Sequence, residues 1–155
     1  SIEETITTGK AIYNQPYSII VADTKSGVRN SSSINELSNV RIAGLKTKLE
    51  AIPTKGTANY SGKAFDAENN GTLDYNVNFE NKTGSGTITG LGNNITLEQG
   101  SISGTGISST ATQGYKSGSY SLDFFGKNAE EIAGKVTFNG KDTVGFGGQR
   151  GEIRK

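Results

Sequence analysis

The chain has 155 residues and a formal net charge of +1, and it contains no His, Cys, Met or Trp. That length suits one domain around one core, and the missing residue types exclude zinc fingers, thiol redox sites, Ser-His-Asp and Cys-His catalysis, His-ligated haem and disulfides. No apolar run approaches the ~18 residues of a membrane-spanning helix, and the near-neutral charge supplies no basic field for nucleic acid.

The chain opens without Met and without a charged-then-apolar leader, so it is expected to be a mature or excised piece of a longer protein. Its 22 glycines, with Thr, Ser and Asn also abundant and only 2 prolines, predict many short strands joined by tight turns. From Gly9 to Asp23 the pattern predicts a hairpin, Lys10 to Asn14 and Tyr17 to Ala22, bent at Pro16. Asp23 to Ser38 is polar and Ser-rich and predicts a mobile loop. Val40 to Leu49 alternates weakly and predicts the first barrel strand, ended by Pro53-Thr54-Lys55-Gly56. Residues 1–39 are therefore expected to be a hairpin and loop packed on a barrel formed by residues 40–155.

The clearest strand runs from Thr72 to Phe79, where Leu73, Tyr75, Val77 and Phe79 alternate with polar residues. Asn59 to Phe65 reads as its partner, with Asn69-Asn70-Gly71 as the hairpin turn. Gly84 to Gly90, Ile95 to Leu97, Ile102 to Ile107, Ser119 to Phe125, Val136 to Phe138 and Thr143 to Phe146 continue the series. Asn128-Ala129-Glu130-Glu131 has the form of a capping box and predicts one short helix, ended by Gly134. Glycines inside the strands favour the sharp curvature of a closed barrel over a sandwich. The expected fold is all-β: an eight-stranded antiparallel up-and-down barrel with one short helix, preceded by a β-hairpin. Tyr75, Val77, Phe79, Tyr120, Leu122 and Phe124 are expected to point inward.

Several stretches invite a chemical reading. Asp66-Ala67-Glu68-Asn69-Asn70-Gly71 begins like a calcium loop, but Val77 stands where an EF-hand needs Glu, so a turn is expected. Gly145-Phe146-Gly147-Gly148 lacks the following helix and the Lys of a phosphate loop. Glu130 and Glu131 are neighbours rather than a pair across a cleft, and helix capping accounts for them. With no His or Cys to titrate near neutrality and no convergent pair of acids, catalysis is not expected. No metal or cofactor is expected either. Among the six tyrosines, Tyr13 and Tyr17 lie in the atypical hairpin and are candidates for an exposed binding surface.

The strand series carries a resemblance. Pro53 to Phe65, Gly71 to Phe79, Gly84 to Ile88, Gly118 to Leu122 and Phe125-Gly126-Lys127-Asn128-Ala129-Glu130-Glu131-Ile132-Ala133-Gly134 resemble the carboxy-terminal barrel of the factor H-binding protein family. The last of these blocks, and Val144 to Arg150, are also similar to the barrels of transferrin-binding protein B and related haem-acquisition lipoproteins. The resemblance implies a non-catalytic Gram-negative surface lipoprotein on the extracellular face of the outer membrane. Its acylated Cys anchor would lie outside this chain, and it would act as a monomer that binds a host serum protein.

The family's factor H contacts are acidic side chains on the outer wall, and the matching positions here are Lys116 and Thr137. Charge is reversed at one and lost at the other, which opposes the same mode of binding. The leading expectation is therefore a complement component or regulator, bound for immune evasion. The alternative is acquisition of haem or of an iron carrier, and a third reading is a barrel that only displays another domain. The expected partner-binding residues are Lys116, Ser117, Lys135 and Thr137 on the outer wall, and Tyr13 and Tyr17 on the hairpin.

Overall fold

The computed structural model describes residues 3–155. Three strands come first: β1 (Glu4–Asn14), β2 (Ser18–Arg29) and β3 (Ser32–Gly44), paired antiparallel in the order β1-β2-β3. Eight more follow: β4 (Thr57–Phe65), β5 (Asn70–Asn78), β6 (Thr83–Thr89), β7 (Ile95–Ser103), β8 (Gly106–Gln113), β9 (Lys116–Phe125), β10 (Glu131–Phe138) and β11 (Lys141–Arg150). Each pairs with the next, and β11 closes on β4 with Gly145 opposite Phe65 and Arg150 opposite Tyr60. The result is the expected closed, antiparallel, up-and-down barrel.

The alternation seen in the sequence fills the interior. Tyr75, Val77, Phe79, Tyr120, Leu122 and Phe124 are all buried. The Tyr60, Phe79 and Phe124 rings meet at centroid distances of 6.0 and 5.9 Å. Buried hydroxyls need partners, and these have them. The Tyr75 and Tyr120 hydroxyls are 2.9 Å apart, and Tyr120 donates to the Glu98 carbonyl at 2.6 Å. Tyr60 donates to the Ala129 carbonyl at 2.6 Å. Burial pushes the Tyr60 and Tyr75 phenols well above their ordinary pKa. Tyr75 fits because Gly84 and Gly86 face it: a Cβ on either would stand 2.7 Å from its ring.

A second core fixes the three-stranded sheet to the outer wall of β10 and β11. Ile20, Ala22, Leu37 and Val40 pack on Phe65, Phe125 and Ala133. The close approach depends on glycine, because a Cβ at Gly145 would lie 3.0 Å from Ile20 and one at Gly147 2.7 Å from Gln15.

Four local expectations are corrected. Asn128–Glu130 form no helix; Ala129 has φ +59, Glu131 begins β10, and the helical element among the described residues is a single 3-10 turn at Leu49–Ala51. The Glu130 carboxylate accepts the Asn128 N–H at 2.7 Å inside this turn, so it caps a turn rather than a helix. The expected loop from Asp23 to Ser38 is instead the far half of the β2–β3 hairpin, turning at Asn30 and Ser31, both with positive φ. Apart from the buried Leu37 its side chains are mostly wet on both faces, so no apolar alternation marks it. Val40 lies within β3 of the first sheet, and the barrel starts at Thr57. Ile102 to Ile107 is not one strand but the β7–β8 turn, with Gly104 at φ +61.

Candidate functional site

The interior is packed, so any partner meets the outside of the molecule. Lys116 is exposed at the start of β9, its ammonium 5.9 Å from the centroid of the Phe138 ring. It lines a groove of about 770 Å³ between Asn35–Asn39 of β3, the Asp66–Glu68 loop and the start of β11. Ser117 is exposed and pairs with Thr112 of β8.

Lys135 and Thr137 of β10 are engaged with Asp142 of the neighbouring β11. Both reach Asp142, at 3.1 and 3.4 Å, while the other carboxylate oxygen of Asp142 accepts the Val40 N–H at 2.8 Å. Asp142 also lines the Lys116 groove. The structure thus gathers Lys116, Lys135 and Thr137 around one end of the barrel, with Asp142 as their common neighbour.

Tyr13 and Tyr17 are elsewhere. Both are half-buried and pack on the second core. Tyr13 lines a separate groove of about 700 Å³ with Ile12, Lys63 and Thr72. Burial, and secondarily the Glu131 charge, raise its phenol pKa. The tyrosine that stands free in solvent is Tyr115, at the tip of the β8–β9 turn.

Sequence reasoning missed Glu131. Only 1% exposed, its carboxylate accepts the Tyr17 N–H at 3.0 and 3.1 Å and the Ser18 hydroxyl at 2.8 Å. Gln15 extends the cluster, donating to Ser18 at 3.0 Å and to the Ile132 carbonyl at 3.2 Å. Asp142 and Glu131 thus tie the sheet to the barrel at two places. The adjacent acids of the sequence gave only the hint that one of them was not needed for a cap.

The calcium-like loop is a turn. Asp66 accepts the N–H groups of Glu68 and Asn69 at 2.9 and 2.7 Å, and it closes the β4–β5 connection one step before Asn70. Among the described residues no cluster of three acidic side chains could hold a metal.

The closed eight-stranded barrel with its antiparallel sheet is similar in fold to several solved structures. The haemoglobin receptor HpuA from Kingella denitrificans, solved in complex with human haemoglobin, is similar with a TM-score of 0.74 and 20% identity, over 90% of this chain and 56% of that one. A transferrin-binding protein B variant from Actinobacillus pleuropneumoniae H49 is similar with a TM-score of 0.69 and 16% identity, over 91% of this chain and 80% of that one. The Neisseria meningitidis protein of the same name gives 0.61 and 18%, over 92% and 35%. The chain thus spans little more than half the length of HpuA.

Residues 50–136, more than half of the chain, match the family described as factor H binding protein, C-terminal, and the chain belongs to that family.

Proposed function

We propose that the chain is the barrel portion of a lipid-anchored protein on the extracellular face of a Gram-negative outer membrane, where it binds a host complement protein or regulator. The family match over residues 50–136 carries this reading. The packed interior supports it, because a barrel filled by Tyr75, Tyr120 and Phe124 leaves the outer surface for a protein partner. The contact surface in this proposal is the end of the barrel around Lys116 and Ser117, with Lys135 and Thr137 behind them, or else the flank around Tyr13 and Tyr17. Lys116 is the exposed cation of the first set, while Lys135 is already occupied by Asp142.

The structural likeness to HpuA, solved with human haemoglobin, favours a second reading in which the partner is a haem or iron carrier. One experiment separates the two. The immobilised chain is tested by surface plasmon resonance against purified factor H, other complement components, haemoglobin and transferrin. Saturable binding of a complement protein supports the first reading, and of a carrier the second; binding of none overturns both. Lys116→Glu with Thr137→Glu, and separately Tyr13→Ala with Tyr17→Ala, then locate the contact. A change below about threefold in Kd, under ~0.7 kcal/mol, for both pairs removes both surfaces.

A further inference from the structure

After β11 the chain does not leave the barrel. Gly151 donates its N–H to the Asn59 carbonyl at 3.2 Å, and Thr57 and Arg154 exchange backbone hydrogen bonds at 2.9 and 2.8 Å. Ile153 packs on the barrel core. The returning segment forms a ridge beside β4, and two hollows meet along it, sharing Thr57, Asn78, Asn81 and Arg154.

The hollows differ in chemistry. The larger, about 1040 Å³, is walled by Asn59, Asn76, Ser85 and Gln99, with Glu152 as its one acid beside Arg154. The smaller, about 560 Å³, brings together Lys55, Arg154 and Lys155 against the single acid Glu80. None of these three cations makes an ion pair among the described residues.

The amide wall is ordered in advance. Strand register sets Asn59, Asn76 and Ser85 side by side. Asn59 donates through Nδ2 to Asp74 at 2.6 Å and to Asn76 at 3.0 Å. That leaves the Asn59 side-chain oxygen Oδ1 and the Asn76 side-chain nitrogen Nδ2, an acceptor and a donor on neighbouring strands, exposed to solvent. Adjacent sugar hydroxyls, each both donor and acceptor, match such a pair.

We propose that this groove binds an acidic oligosaccharide, with sugar hydroxyls on the Asn59–Asn76 wall and a carboxylate or sulfate at Lys55 and Arg154. The lining holds no aromatic side chain on which a nucleic-acid base could stack. It also lacks the large apolar pocket that anchors a protein partner. The site is independent of the Lys116 and Tyr13 surfaces, so it stands or falls apart from the host-protein reading.

The test is titration of the full chain, followed by NMR, with sialyllactose, a sulfated heparin tetrasaccharide and neutral lactose. Saturable shifts at the Asn59 and Asn76 side-chain amides are expected with one or both acidic sugars, and binding of sialyllactose shows that a carboxylate suffices. Lactose should bind about tenfold more weakly or not at all, a gap worth ~1.4 kcal/mol. Lys55→Ala with Arg154→Gln should remove the acidic preference, and Asn76→Ala should weaken binding of every sugar that binds. The Gln at position 154 keeps the backbone pairing with Thr57, and an unchanged circular dichroism spectrum checks the fold. Absence of saturable shifts with all three sugars overturns the proposal. So does binding of heparin alone that is indifferent to Asn76→Ala, because that is non-specific polyanion attraction.

Discussion

Replacing Glu131 should loosen the amino-terminal sheet from the barrel while leaving the barrel closed. Its carboxylate takes two donors across the interface, the Tyr17 N–H and the Ser18 hydroxyl. A hydrogen bond to a charged group is worth about 1.5–3 kcal/mol net, and stranding two buried donors adds to the loss. Glu131→Ala should therefore weaken docking by about 3–5 kcal/mol. Glu131→Gln should cost less, about 1–2 kcal/mol, for two reasons. Its carbonyl oxygen still accepts from Tyr17 and the Ser18 hydroxyl can turn to accept its amide, and a buried carboxylate without a cation no longer needs desolvating. Hydrogen exchange at the Val40 amide is the assay, since that N–H is donated across the same interface to Asp142 and not to Glu131. A docking loss of about 3 kcal/mol raises exchange through undocking by about a hundredfold. Val40 exchange within about threefold of the parent chain in Glu131→Ala, below ~0.7 kcal/mol, would refute the reasoning. So would a Gln variant as damaged as the Ala variant.

Gly84→Ala would bring a Cβ to 2.7 Å from Cε2 and 2.8 Å from the hydroxyl oxygen of Tyr75. It should cost about 1–3 kcal/mol in urea unfolding, and an unchanged midpoint would show that Tyr75 moves freely. The buried Tyr60, Tyr75 and Tyr120 phenols have pKa values raised above 10.0. The folded chain therefore holds protons that the unfolded chain releases, and stability is complete below pH 10 and falls as pH rises beyond it. Tyrosinate absorbance from these residues should appear together with loss of the β circular dichroism signal; full ionisation with the signal intact would contradict their burial. Asp23 is held at about 2, first by its hydrogen bond from Lys10, then by Asn39 and Arg41. Its contribution is present above its unfolded value of 3.8 and is lost as pH falls towards 2, so the stability of the parent and of Asp23→Asn should converge over that window. A gap that widens on acidification would count against the pairing.

Elements with one dry face were legible in the sequence. Leu73, Tyr75, Val77 and Phe79 alternate because the barrel interior lies on one side and water on the other. The far half of the β2–β3 hairpin was not legible. Its side chains are mostly solvated on both faces, Leu37 excepted, so backbone hydrogen bonding rather than apolar alternation defines it. Ile102 and Ile107 read as one strand although Gly104 turns the chain between them, because apolar residues on both sides of a tight turn hide it. Glu131 failed for a different reason. Its partners, Tyr17 and Ser18, lie at the other end of the chain, and a local capping pattern with the same letters was at hand. Lys116, Lys135 and Thr137 were chosen by family position; that Asp142 occupies two of them depends on the β10–β11 register, which shifts at Val136/Thr137.

The closing seam also sets the order in which this molecule can be made. β4 is the first barrel strand to leave a ribosome and β11 the last, yet they must pair with each other. Phe65 apart, what receives the amino-terminal sheet also arrives late: Phe125, Glu131, Ala133, Asp142, Gly145 and Gly147 all lie in the last quarter of the chain. The sheet, synthesised before the barrel, therefore waits for most of its partners, with the apolar side of Ile20, Ala22 and Val40 uncovered meanwhile. Such distant pairing makes folding slow and the waiting chain prone to association. A chaperone acting during synthesis or export would find its natural substrate in residues 18–44, before Arg150 has emerged.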